Sequence, residues 1–150
     1  MTQTFAEVLI LTVSALGVGV LMFVTGVIQP VMNAMDETAF KRFLPALYHH
    51  AIRSVFAVSV SLVTFVAMIP YFIFYGFDHW WFIAGLIVFT ISSVVSKILN
   101  LPIYRKVPEL PDEDTAGLRE QRRKLTTANF VRAALGFVSV ALMTIQLAGA

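Results

Sequence analysis

Four apolar runs, at 8–28, 54–74, 80–99 and 130–147, constrain this chain more than any other feature. Each is about the 20 residues a helix needs to cross hydrocarbon. Threaded up and down, they leave the N-terminus, the 75–79 turn and the C-terminus on one side, where there is no Lys or Arg. The connections 29–53 and 100–129, with the helix ends that border them, hold all eleven: Lys41, Arg42, Arg53, Lys97, Arg105, Lys106, Arg119, Arg122, Arg123, Lys124 and Arg132. Positive charge in short loops stays cytoplasmic. The expected fold is an all-α integral membrane four-helix bundle, one domain over 1–150, with both termini extracytoplasmic. The expected location is a bacterial inner membrane.

Composition agrees. With 58% hydrophobic and 13% charged residues, the chain has too little polar surface to cover a soluble core of this size. Nucleic acid is not an expected partner despite the basic balance. The net charge is only +2, and the basic side also carries Asp36, Glu37, Glu109, Asp112, Glu113, Asp114 and Glu120. The cations read instead as topology and anionic headgroup contacts. There is no cysteine, which removes disulfides, thiolate nucleophiles and iron–sulfur clusters. The first run reads as a retained helix and not a leader, because Met1–Glu7 has no cation and no small-residue cleavage pattern follows.

Helix one carries Ala15, Gly19, Phe23 and Gly26 on one face, which should admit a close neighbour, and is expected to end near Gln29-Pro30. Asp36-Glu37-Thr38 opens a short interfacial helix bearing Phe40, Phe43 and Leu44. Pro45 suits the first turn of helix two, whose stripe Ser54, Ala57, Ser61 and Thr64 suits a helix contact. Pro70 should kink or end that helix. Eight aromatics between Tyr71 and Phe82 read as an outer interfacial belt. Thr90, Ser93, Lys97 and Asn100 share one face of helix three, which Leu101-Pro102 should close. From Asp112 a helical pattern resumes through Leu118, Leu125 and Gly136, with a Glu120–Lys124 pair. Helix four should therefore protrude several turns before it crosses.

The chemistry-bearing residues collect near the cytoplasmic ends of the helices. Gln29, Asn33, His49, His50, Arg53, Lys97, Asn100, Asn129 and Arg132 all lie there. Adjacent histidines on a helix point about 100° apart, so one of His49 and His50 at most faces inward. His79 lies at the other end, so no two-histidine metal or haem site is expected and no metal is assigned. Arg53, Lys97 and Arg132, with Asn100 and Asn129, form a candidate cationic pocket for an anionic or enolisable ligand; nearby cations favour a deprotonated phenol or enol. Asn100, Asn129 and Arg132 are expected to converge there with one histidine. No span is expected to bury an acidic residue, which argues against a carboxylate proton relay. There is no phosphate-binding glycine loop, HExxH or serine nucleophile motif.

Asn100-Leu101-Pro102-Ile103, the charged linker and the segment Arg122-Arg123-Lys124-Leu125-Thr126-Thr127-Ala128-Asn129-Phe130-Val131-Arg132 carry a resemblance. With the glycine-bearing first helix ending in Gln29-Pro30, they make the chain similar to the anthrone oxygenase-like family of small four-helix membrane proteins. In that family an Asn-x-Pro element closes helix three and an Asn-x-x-Arg element opens helix four. The family often places a tryptophan where this chain has Leu125 or Thr126. The resemblance implies Asn100, Asn129 and Arg132 as site residues, and oxidation of a polycyclic phenol or anthrone. The expected function is thus a membrane oxygenase or other redox enzyme acting on a small aromatic or quinone-like molecule in a cytoplasmic-side pocket. The alternative is a non-catalytic subunit that self-assembles or packs against a larger membrane complex.

Overall fold

The computed structural model describes residues 2–149, and among them every regular element is a helix. We number five: α1 Gln3–Ala34, α2 Glu37–Arg53, α3 Val55–Tyr75, α4 Trp80–Glu109 and α5 Thr115–Ala148. All but α2 are long and apolar enough to cross a membrane. One end of the bundle is basic, formed by α2 and the extensions of α1, α4 and α5. The opposite end is aromatic.

The prolines expected to end the first and third spans do not. α1 runs on past Pro30 to Ala34, and α4 past Pro102 to Glu109. A proline ring in a helix strikes the carbonyl four residues back and supplies no N–H to it. Here the helix widens just before each proline, into π-turns at Val24–Ile28 and Ser96–Asn100. The wider turn shifts that carbonyl aside and the helix continues. α3 likewise passes through Pro70 and stops at Gly76, whose φ of 68° is strained for any side chain.

Pro45 does not open the second span. It lies inside α2, and the chain breaks later, at Ser54. That residue is extended (φ −67°, ψ 111°) and its hydroxyl accepts the Ala57 N–H at 3.3 Å, a serine N-cap. The apolar side of the short helix packs onto the bundle. Phe40 and Leu44 are fully buried with Met32, Ile103, Val107, Leu118 and Leu125 in a core at the basic end. Arg122 fastens α2 to α1. Its guanidinium lies 4.7 Å over the Phe40 ring and donates to the carbonyls of Met35 at 2.9 Å and Asp36 at 3.2 Å. The Met35 carbonyl lies past the end of α1, and the Asp36 carbonyl, at the N-cap of α2, also accepts the Phe40 N–H at 3.0 Å. Around this core, the Glu120–Lys124 pair forms as expected at 2.6 Å. Arg119 donates to Glu37 and Lys41 to Asp112, and each cation holds its carboxyl below the usual carboxylate range.

The glycines that allow close packing are not those expected. A Cβ on Gly19 or Gly26 would meet nothing within 4 Å, and Ala15 and Phe23 on the same face are exposed. That face of α1 points outward. Its inward face carries Ser14, Gly17 and Val18 instead, packing Gly17 on Val60 of α3 and Val18 on Gly136 of α5. The tightest approach joins α4 to α5 at Gly85, where a Cβ would sit 2.8 Å from the Ser139 carbonyl oxygen. Ser139 returns a hydrogen bond from its hydroxyl to the Gly85 carbonyl at 2.8 Å.

One acidic residue is buried after all. Glu7 is 1% exposed at the aromatic end. Its Oε1 accepts from the Tyr71 hydroxyl at 2.6 Å, contacts His79 Nδ1 at 2.6 Å and accepts from Gln3 at 3.3 Å. The apolar window of the first run begins one residue later, which is why Glu7 read as rim. A buried carboxylate is tolerated where donors surround it. Tyr71 and Phe82 accordingly belong to the core, whereas Phe74, Phe77, Trp80 and Trp81 are exposed like a belt.

Candidate functional site

Two polar features meet at the basic half of the bundle, and the π-turns place both. The first is a chain of amides. Gln29 follows the π-turn of α1 and Asn100 closes that of α4, and the two point at Asn129 on α5. Asn100 Nδ2 donates to Asn129 Oδ1 at 2.9 Å, and Asn129 Nδ2 donates to Gln29 Oε1 at 2.8 Å. Gln29 Nε2 then donates to Asn33 Oδ1 and to Thr126 Oγ1, each at 3.0 Å. Thr25, inside the α1 π-turn, donates to the Asn129 carbonyl at 3.2 Å. Gln29, Asn100 and Asn129 are all at least 98% buried. Asn129 and Gln29 thus both accept and donate, and Asn100 donates, which meets most of the cost of burying them. One acceptor is left over: Asn100 Oδ1 is buried with no partner. Beside it lies the Tyr104 phenol, which stacks on Tyr48 with ring centroids 4.7 Å apart.

The second feature is a cationic cavity of about 250 Å³ between α1, α3, α4 and α5. Ser92, Ser93, Ser96, Lys97, Arg132 and Ser61 give its polar wall, and Phe65 and Phe89 close it toward the aromatic end with their rings 5.7 Å apart. Arg132 is half-buried. It donates to Ser96 Oγ at 2.9 Å, and Ser92 in turn donates to the Arg132 carbonyl at 2.9 Å. A guanidinium carries five N–H donors. Among the described residues, one hydroxyl answers them and no carboxylate pairs with the charge. An apolar bundle does not usually hold a cation on those terms unless something anionic joins it.

The sequence candidates thus divide. Asn100 and Asn129 are bonded to each other. Arg132, one turn along α5 from Asn129, turns instead to Ser96 and shares the cavity with Lys97, which is itself exposed. His49, His50 and Arg53 are exposed on the last turns of α2, away from the amide chain. The two imidazoles contact each other edge to face at 5.7 Å. Of the cavity serines, Ser61 and Ser93 lie on the polar stripes expected from the sequence; Ser92 and Ser96, which recur with Ser93 at helical spacing in an otherwise apolar run, are additions. Tyr104 had none, because only the continuation of α4 past Pro102 brings it back to Asn100.

Comparison with protein-family models, with curated proteins and with solved structures returned no match.

Proposed function

We propose that this chain is an integral membrane protein, with both termini outside the cytoplasm, that binds a small aromatic or quinone-like molecule as its phenolate or enolate in the Arg132 cavity. The unpaired Arg132 charge carries this reading. A cation in low dielectric favours the ionised form of an adjacent phenol or enol, and Lys97 adds to the field. The serine hydroxyls supply donors to the same oxygen. The resemblance to anthrone oxygenase-like proteins gives the reaction class. Ionisation removes a proton from the methylene carbon of an anthrone. Dioxygen then delivers one oxygen atom to that carbon, the second hydrogen leaves it, and the other oxygen departs as water.

Titration of purified protein with anthrone tests the proposal. Wild type is expected to produce the red-shifted absorption of the anthrone anion at a pH where free anthrone stays neutral. Arg132→Gln and Lys97→Gln, checked for an unchanged thermal melt, should weaken that signal at least tenfold. No anion signal with wild type, or an undiminished one in folded Arg132→Gln, overturns the reading.

The topology has its own test. A reporter that is active only in the cytoplasm, fused at Ala150, is expected to be silent, and the same reporter inserted after Asp112 should be active. Strong activity at Ala150 reverses the orientation.

A second reading rests on α3. Its outward residues Phe56, Leu62, Val63, Val66, Ile69 and Ile73 are exposed and apolar, interrupted by the exposed Ser59, and they offer a face to a membrane partner as readily as to lipid. A non-catalytic subunit would show a co-purifying polypeptide in place of a bound chromophore.

A further inference from the structure

A second cavity lies on another face and is not needed for the chemistry above. It holds about 580 Å³ between α4 and α5 at the basic end. Its lining is divided. Ile98, Leu99 and Pro102 form an apolar wall, and Ile98 and Leu99 are 64% and 42% exposed on the lipid-facing side. Lys106, Arg123 and Lys124 border the rest. Glu120 sits in the field of all three cations and pairs with Lys124, so among the described residues Lys106 and Arg123 have no ion pair. Between the two walls lies Gln121. It is 4% exposed and lines the cavity, and among the described residues nothing hydrogen-bonds its side-chain amide, which keeps access to that space.

The Gln121 amide faces a space flanked by an excess of positive charge and floored by hydrocarbon. The π-turn Ser96–Asn100 builds that floor, because the wide turn brings Ile98 and Leu99 out on the side away from Asn100. Basic pockets between membrane helices at the cytoplasmic leaflet take anionic lipid headgroups.

We propose that this cavity is a binding site for an anionic phospholipid, with the phosphate held by Lys106 and Arg123, a headgroup hydroxyl or phosphate oxygen met by the Gln121 amide, and an acyl chain laid along Ile98, Leu99 and Pro102. The site requires the bundle to be embedded in a membrane, but not that Arg132 binds an aromatic ligand. It would tie the protein's stability to the anionic content of the surrounding leaflet.

The test is a thermal melt of the detergent-purified chain titrated with dioleoyl phosphatidylglycerol. Parallel titrations use dioleoyl phosphatidylcholine and glycerol phosphate, the headgroup without its tails. Phosphatidylglycerol is expected to raise the melting temperature saturably, and neither of the others should. Lys106→Gln/Arg123→Gln should move the half-saturating concentration at least tenfold upward while leaving the lipid-free melt in place. Lys106→Gln alone, or Gln121→Leu, serves if the double variant does not fold. An equal response to phosphatidylcholine, a full response to glycerol phosphate, or an unchanged titration in folded variants overturns the proposal.

Discussion

Gly85→Leu should cost the bundle about 3 kcal/mol or more, and Gly19→Leu almost nothing. The two glycines look alike in the sequence, each within an apolar run. In the fold they are opposites. A first carbon on Gly85 would meet Met143 Cγ at 2.6 Å and the Ser139 carbonyl oxygen at 2.8 Å. The methionine can swing away, but the carbonyl belongs to the α5 backbone and can move only if the helices part. Parting them also breaks the Ser139 hydroxyl bond to the Gly85 carbonyl. It loosens Leu86 and Phe89 as well, next to Gly85 in the buried face of α4. At Gly19 the added side chain enters open space. Equilibrium unfolding in bicelles gives both numbers. A Gly85→Leu curve that overlays wild type would show that α4 and α5 do not pack through this point. A large loss at Gly19 would show that its face meets another helix or another copy.

The contrast also shows what the sequence could disclose. The four apolar runs are visible because length and hydropathy are local properties, and α1, α3, α4 and α5 each contain one of them. Which face of a run turns inward is not local. In a helix whose surface is largely apolar, Gly17 and Gly19 lie about 160° apart, on nearly opposite faces, and hydropathy does not choose between them. The expected face was set by small residues alone. Ser14 on the opposite side, within 3.4 Å of the Thr64 hydroxyl, is the truer marker, since a hydroxyl in hydrocarbon seeks a partner. The helix ends misled for a different reason. Pro30 and Pro102 are stop signals in a regular α-helix, and only a change of winding lets the chain pass. Neither π-turn has a sequence signature, and both matter here, because they carry Gln29 and Asn100 to the level of Asn129. Asn100 and Asn129 themselves were legible through depth and register. Amides that fall within a turn or two of the apolar runs and share a helix face with other polar groups are expensive to point at lipid. Arg132 was legible as a polar residue in an apolar place. That it faces Ser96 and not the amides depends on how α5 is rotated against α4, which tertiary packing sets.

Asn129 is the residue on which the basic half of the bundle closes, and its replacement is expected to behave non-additively. It links Asn100 on α4 to Gln29 on α1, as acceptor to one and donor to the other. Asn129→Leu removes both bonds, leaving the Asn100 amide N–H and the Gln29 carbonyl buried without partners. Each stranded group costs about 1–3 kcal/mol, so a loss of about 2–6 kcal/mol is the expectation for the single change. Asn100→Leu strands only the Asn129 carbonyl, and it also deletes the Asn100 Oδ1 that already lacks a partner. It should cost less than Asn129→Leu. With both replaced, Gln29 alone is left unanswered on that side, so the double variant should be more stable than the sum of the singles by about 1 kcal/mol or more. The same logic holds within the apolar bundle, where water is not at hand to replace a lost partner and the remaining amides must find one another. The cycle is read from unfolding free energies of the four proteins in bicelles. Strict additivity would show that the two amides do not depend on each other, and the chain from Asn100 through Asn129 to Gln29 would then be no more than proximity. A coupled result would identify it as the lock that holds α1, α4 and α5 together around the two wide turns.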